Sequence, residues 1–273
     1  MICNQQITLG EYLLSKNYHR NTIKKLLKYK NILVNNEVIT NYNYLLNKGD
    51  QITIKKNKDT PLEIIYEDRF IVVINKPCGL VCERTPKEKE KTAYNIMKQY
   101  LNKKNEKIYL VHRLDQYTSG ILMFVKDEKL YKMLTKDWNK YVKIREYAAI
   151  VEGKVDKDGT IRNYLSESKS QEVYVTSKGK GKYACTHYKV IQANSCYSLL
   201  EVMLDTGRKN QIRVHMASIG HPIAGDKKYG AKTNPIKRLA LHHTHFSFEN
   251  PINHRLYEFS SEVPEEFYSL VRK

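Results

Sequence analysis

The stretch VHRLDQYTSGILMFVK, residues 111–126, decides how this chain is read. A polar loop places two basic residues, His112 and Arg113, beside a carboxylate, Asp115, and runs through Thr118-Ser-Gly straight into the apolar run ILMFV. A short apolar run of that kind reads as an interior strand. Asp115 then sits where a loop meets a rigid sheet, a good mount for a reactive group. The bare pattern fits an aspartate that caps a turn and pairs with Arg113 equally well.

Outward from this stretch, β-rich runs dominate. Upstream, LEIIYE and FIVVINK are separated by a Glu-Asp-Arg turn and end in NKPCGL at 75–80. EKTAYNIMKQYL follows as a short amphipathic helix, and KLYKMLTKDWNKY reads as helical after residue 126. EYAAIVEG, ACTHYKVI, SLLEVMLD and LALHHTHFSF are strand-like. Many strands with helices between them, without strict alternation, predict an α+β fold on a mixed, mostly antiparallel sheet.

Residues 1–58 read as a small α/β module of their own, and 59–273 as the main domain. Thr8-Leu9-Gly10-Glu11 fits a capping box that starts a short helix. A second helix follows Asn21, with Ile23, Leu26 and Leu27 facing a core and Lys24, Lys25 and Lys28 on its other side. ILVNNEVIT predicts two short strands about an Asn-Asn-Glu turn, and Lys48-Gly49-Asp50 turns the chain into a last strand. Residues 55–61 read as a polar linker.

The net charge is +18 over 273 residues. Such a field favours polyanionic partners, nucleic acid above all. No apolar run approaches the ~20 residues that span a bilayer, so no membrane partner is expected. The first 58 residues carry ten Lys/Arg against three Asp/Glu, which is +7, and the other 215 carry the remaining +11. Charge is denser in the small module, as a helix face lying along phosphates requires. Five scattered cysteines predict reduced thiols in a cytoplasmic protein, and Cys78 and Cys82 lack a second pair at zinc-finger spacing. A monomer is the default expectation.

HRLD, two variable residues and TSG, followed by an apolar strand and a lysine, resemble the signature of the RluA/RluD-type RNA pseudouridine synthases. NKPCGL, REYAAIVEG at 145–153, DTGRKNQIRVH at 205–215 with its continuation to Gly230, and RLALHH at 238–243 resemble further blocks of that family, in its order. The first segment, above all ILVNNEVI, resembles the S4 RNA-binding domain. The resemblance implies an isomerase that converts uridine to pseudouridine in structured RNA. Large-subunit ribosomal RNA is the favoured substrate and transfer RNA the runner-up.

It also implies roles. Asp115 would be the essential carboxylate, and Arg213 would keep it ionised and oriented, since a nearby opposite charge favours the charged form. Tyr147 would stack on the base, Arg113 would help to extrude the uridine, and Ile212 would floor the site. His112 and Thr118, in the signature itself, and Lys24, Lys25 and Lys28 complete the expected RNA contacts. The reaction breaks N1–C1′ and forms C5–C1′ without redox change or net hydrolysis, so no cofactor and no metal are expected. His242, His243 and His245 are close in sequence, but alternation turns His243 away from its neighbours, and a metal cluster is not predicted there. Rival classes are a hydrolytic glycosylase, whose second carboxylate could be Asp205 or Asp226 although nothing marks either, and a non-catalytic RNA-binding or ribosome-assembly factor.

Overall fold

A computed structural model describes the chain except Asn17, His19, Tyr29, Lys30, residues 55–61, Pro86, Lys87, Lys89, Glu90 and Lys273; the side chains of Asn21, Lys25 and Lys28 are likewise outside the described residues. The expected linker and the Lys25 and Lys28 contacts thus lie outside what is described. The chain divides into two compact units, Met1–Thr60 and Pro61–Lys273. Among the described residues no helix is long and apolar enough to cross a membrane.

In the first unit, β1 (Ile7–Thr8) leads into α1 (Leu9–Ser15), α2 (Arg20–Lys28), β2 (Ile32–Val34), β3 (Glu37–Val38), β4 (Leu45–Leu46) and β5 (Ile52–Ile54). The capping box is formed: the Glu11 amide donates to Thr8 Oγ1 at 3.3 Å and the Thr8 amide to Glu11 Oε2 at 3.4 Å. The β2–β3 hairpin turns on Asn35 and Asn36, both at positive φ (49° and 70°). That is the geometry of a two-residue primed turn, which asparagine tolerates, so Glu37 belongs to the strand and not to the turn. Ile23 and Leu27 of α2 pack with Leu9, Leu13, Ile32 and Ile52, leaving Lys24 exposed.

The second unit runs β6 (Glu63–Glu67), β7 (Ile71–Lys76), α3 (Ala93–Asn102), β8 (Tyr109–Leu110), β9 (Ser119–Val125), α4 (Glu128–Lys136), α5 (Trp138–Tyr141), β10 (Val142–Glu152), β11 (Gly159–Glu167), β12 (Val173–Thr176), β13 (Lys182–Ala193), β14 (Tyr197–Leu204), α6 (Gln211–Ser218), β15 (Leu241–Glu249), β16 (Leu256–Ser260) and α7 (Glu265–Val271). Its eleven-stranded sheet has the order β12-β11-β13-β14-β10-β15-β9-β7-β6, with β16 on β15 and β8 on β9. Among the described strand-to-strand pairings of this sheet only β9 with β15 is parallel, and the fold is α+β on a mixed, mostly antiparallel sheet, as the sequence predicts. Six strands (β1, β4, β8, β11, β12 and β16) and two helices (α6 and α7) are additions to what the sequence predicts. The stretch read as one helix at KLYKMLTKDWNKY breaks at Asp137 into α4 and α5.

The continuous apolar character of β7 and β9 has a simple cause: both faces are covered. Ile71, Val73, Ile121 and Met123 pack with Leu130 and Leu134 of α4 on one side. Val72, Ile74, Leu122 and Phe124 pack with Ala93, Met97 and Leu101 of α3 on the other. The start of β9 is tied to β15 through Gly120, whose φ is +107° and at which an added Cβ would lie 2.3 Å from the His243 carbonyl oxygen. Gly120→Ala should therefore lower unfolding free energy by on the order of 3 kcal/mol, read as a fall in the urea midpoint; an unchanged midpoint would show that β9 and β15 do not approach this closely.

Candidate active site

Asp115 lies at the C-terminal end of the loop that feeds β9. The Thr118 amide donates to the Asp115 carbonyl at 3.1 Å, closing the turn, and Thr118 itself is buried. A second loop is sewn to this one. Lys76, fully buried at the end of β7, donates from Nζ to the carbonyls of Pro77 (3.0 Å), Leu80 (2.8 Å) and Gln116 (3.0 Å). The Gly79 amide donates to the Gln116 carbonyl at 3.0 Å, Gln116 Nε2 returns to the Gly79 carbonyl at 3.1 Å, and the Leu114 amide donates to Cys82 Sγ at 3.3 Å. Burial pulls the Lys76 ammonium down to about 8, against the opposing pull of Cys82, Cys78 and Asp115. NKPCGL is thus the scaffold of the Asp115 loop, with a lysine where a bare apolar strand would have none.

The partner of Asp115 comes from α6. Arg213 Nη1 donates to Asp115 Oδ2 at 3.2 Å. The same guanidinium makes a bidentate pair with Asp226, Nε to Oδ2 and Nη2 to Oδ1 at 2.7 Å each. It also donates to Asn210 Oδ1 at 3.2 Å and lies 4.9 Å above the Tyr229 ring. The Asp226 side chain is 1% exposed, that of Arg213 13% and that of Asp115 29%, so the charges run from the interior to the opening. Burial works against the guanidinium charge, but Asp226, followed by Asp115, outweighs it and holds Arg213 above its ordinary value. Asp226, which nothing in the sequence marks, is the residue that aims Arg213. Arg113 does not pair with Asp115: it points outward and pairs with Glu83.

The start of α6 is set by Gln211, which is 2% exposed. Its Oε1 accepts from Thr206 Oγ1 (2.8 Å) and the Arg208 amide (3.0 Å), and its Nε2 donates to the Cys185 carbonyl and Thr186 Oγ1, both at 2.9 Å. A buried amide with all four positions satisfied fixes its helix rigidly. His215, one turn on, bonds Thr186 and Asn163 and so ties the helix to β11 and β13.

Asp115, Arg113, Thr118, Tyr147, Ile212 and Arg213 line one open cleft of about 470 Å³, whose wall is completed by the Gly207–Gln211 segment. Tyr147 projects from β10 and stacks on His243 of β15, centroids 4.4 Å apart at 16°. Burial pushes its phenol up, Asp115 adds to the shift and Arg145 opposes it. Among the described residues its hydroxyl has no hydrogen-bond partner. His112 is not brought to the cleft: it accepts from the Met123 amide at 2.9 Å and stacks on Phe246. Lys24 belongs to the other unit.

The histidine cluster is dispersed by a bulge. Glu146 pairs with His245 and Tyr147 with His243, so Thr244 is an extra residue. His243 does face away from both His242 and His245 as expected, but the cause is the bulge: by alternation alone His243 and His245, two apart, would share a face. His242 bonds Ser119 Oγ and Ser261 Oγ, His243 donates from Nδ1 to the Ile121 carbonyl at 2.6 Å, and His245 meets Glu258. The three share no metal position.

With this geometry in hand, the similarities are specific. Residues 70–218 match the model of the RNA pseudouridylate synthase family. An uncharacterised RNA pseudouridine synthase of Bacillus subtilis, YhcT, is 33% identical, with 92% of this chain and 87% of that protein covered. The ribosomal large subunit pseudouridine synthase D of Buchnera aphidicola is 32% identical, with 100% and 95% covered. Human RNA pseudouridylate synthase domain containing 4 shares the fold, with a TM-score of 0.62 at 21% identity over 76% of this chain and 90% of that one. The chain belongs to the RNA pseudouridylate synthase family, isomerases that convert uridine to pseudouridine in RNA.

Two predictions follow from the charges. Asp226→Asn should leave Arg213 half-paired, lower stability by about 3–5 kcal/mol and slow pseudouridine formation on the order of 10²-fold; wild-type turnover in this variant would exclude a positioning role for Asp226. Burial pulls His112 and His242 down to about 3 and His215 and His243 to about 4. Their folded values lie below the unfolded one, so the unfolded chain binds the extra protons. Stability should be full above pH ~6.5 and fall as pH drops towards about 4, with a slope of several protons in a plot of unfolding free energy against pH.

Proposed function

We propose that this enzyme isomerises specific uridines in large-subunit ribosomal RNA, with Asp115 as the essential carboxylate. The observation that carries the reading is a partly exposed carboxylate, held by an arginine that is itself anchored from behind, at the mouth of a cleft floored by Ile212 and walled by Tyr147. The relatives named as ribosomal large subunit pseudouridine synthases support the choice of substrate.

In this mechanism the target uridine leaves its stack, at a cost of a few kcal/mol, and stacking on an aromatic ring with phosphate contacts recovers that cost. Tyr147 supplies the ring, and its backing by His243 keeps that plane fixed. Arg113, exposed at the rim, enters the vacated space. Ionised Asp115 acts at the sugar or the base while N1–C1′ breaks and the uracil turns, and a proton then leaves C5 once C5–C1′ has formed. The C5 proton passes to solvent through Tyr147, whose hydroxyl, held protonated by burial, gives up its own proton as its oxygen receives the one from C5. The first unit serves as an S4-like RNA-binding module whose basic α2, with Lys24, Lys25 and Lys28, runs along phosphates. The protein works as a cytoplasmic monomer.

Tritium release from RNA labelled at uridine C5 tests the proposal, with ribosomal and transfer RNA transcripts assayed separately. Wild type should release tritium from large-subunit ribosomal RNA, and Asp115→Asn should bind that RNA equally well and release none. Release by Asp115→Asn would remove the carboxylate from its role, and release from transfer RNA alone would move the substrate.

A further inference from the structure

Away from the Asp115 cleft lining, three residues of different chemistry converge. Cys185 and His187 stand two apart on β13 and therefore face the same side. Asp205 follows the end of β14 opposite Cys185, its amide donating to the Cys185 carbonyl at 3.3 Å. Cys185 Sγ lies 3.6 Å from His187 Nε2, and Asp205 Oδ2 lies 2.9 Å from that same nitrogen. All three ligand atoms fall within 4.8 Å of one another.

The shared nitrogen separates two readings. In a nucleophile–base–acid triad the carboxylate holds one ring nitrogen and the nucleophile the other. Here both approach Nε2, and Nδ1 is occupied by Thr160 Oγ1 at 2.9 Å. Convergence on one point, with the far nitrogen held by an outer partner, is the arrangement of metal ligands. Tetrahedral zinc, with Zn–S of about 2.3 Å and Zn–N of about 2.0–2.1 Å, sets sulfur and nitrogen about 3.6 Å apart. The observed sulfur–nitrogen separation is that edge.

We propose that Cys185, His187 and Asp205 form a binding site for a borderline-soft divalent cation, zinc, with water in the fourth position. Thiolate, imidazole and carboxylate are the zinc donors, and calcium or magnesium would not take the sulfur. On binding, the thiol proton leaves to solvent and the imidazole proton moves from Nε2 to Nδ1, from which His187 then donates to Thr160 Oγ1. The Asp205 side chain is 60% exposed, which gives the ion an entrance. Asp205 begins the segment whose Gly207 and Arg208 line the cleft, so the ion would tie that segment to the sheet. The site is independent of the reading of Asp115.

The test uses full-length protein stripped with a chelator and titrated with zinc alone against a chromophoric competitor, alongside cobalt(II) spectra. One equivalent should bind, with a sulfur-to-cobalt charge-transfer band that Cys185→Ser abolishes. Asp205→Asn, a surface change that leaves the fold intact by circular dichroism, should weaken zinc binding at least ~10-fold, and Thr160→Val by about 10–100-fold. Cys196→Ser should change nothing. Absence of stoichiometric binding, or equal affinity in wild type and Asp205→Asn, overturns the proposal.

Discussion

One guanidinium organises the centre of this molecule. A buried carboxylate such as Asp226 is tolerated only with a well-placed counter-charge, because removing it from water costs several kcal/mol. Arg213 meets that need with two 2.7 Å bonds and has one nitrogen left, and that nitrogen reaches Asp115. The orientation of the exposed carboxylate is therefore set from inside the fold. Tyr229 below the guanidinium and Asn210 beside it leave Arg213 little room to choose another partner.

The same logic of interior anchoring recurs on the opposite wall. Lys76 is fully buried and donates to three carbonyls, one of them at Gln116, next to Asp115. Two loops distant in sequence are joined by a group that cannot be satisfied anywhere else. β9 receives the loop between two apolar layers and is held to β15 by a backbone approach that admits only glycine. Asp115 thus sits four residues ahead of a strand that cannot shift without opening two cores at once.

Most of the strands could be read because burial leaves a local trace. ILMFV is apolar throughout because both faces are covered, and the capping box at Thr8 and Glu11 is a four-residue event. Elements whose stability comes from remote partners left no such trace. α6 has an almost even mix of polar and apolar residues, since Gln211 and His215 are buried, and Arg213 is held half-buried, by bonding to other elements and not by hydrophobicity. The Thr244 bulge likewise depends on how β15 pairs with β10, and alternation within one strand cannot reveal it.

By itself the sequence determined the α+β class, most of the strands and the junction where Asp115 enters a sheet, since each follows from residues within a few positions of one another. Family blocks in order supplied Arg213, Tyr147 and Ile212 as companions, and these meet in one cleft. Only the tertiary structure decided that Asp226 aims Arg213, that Lys76 and Gln211 hold the loops around the cleft, that His112 lies outside it and that Arg113 pairs with Glu83 and not with Asp115. Asp115 and Arg213 are 98 residues apart, and ion pairing depends on distance in space and burial, neither of which is written in local spacing.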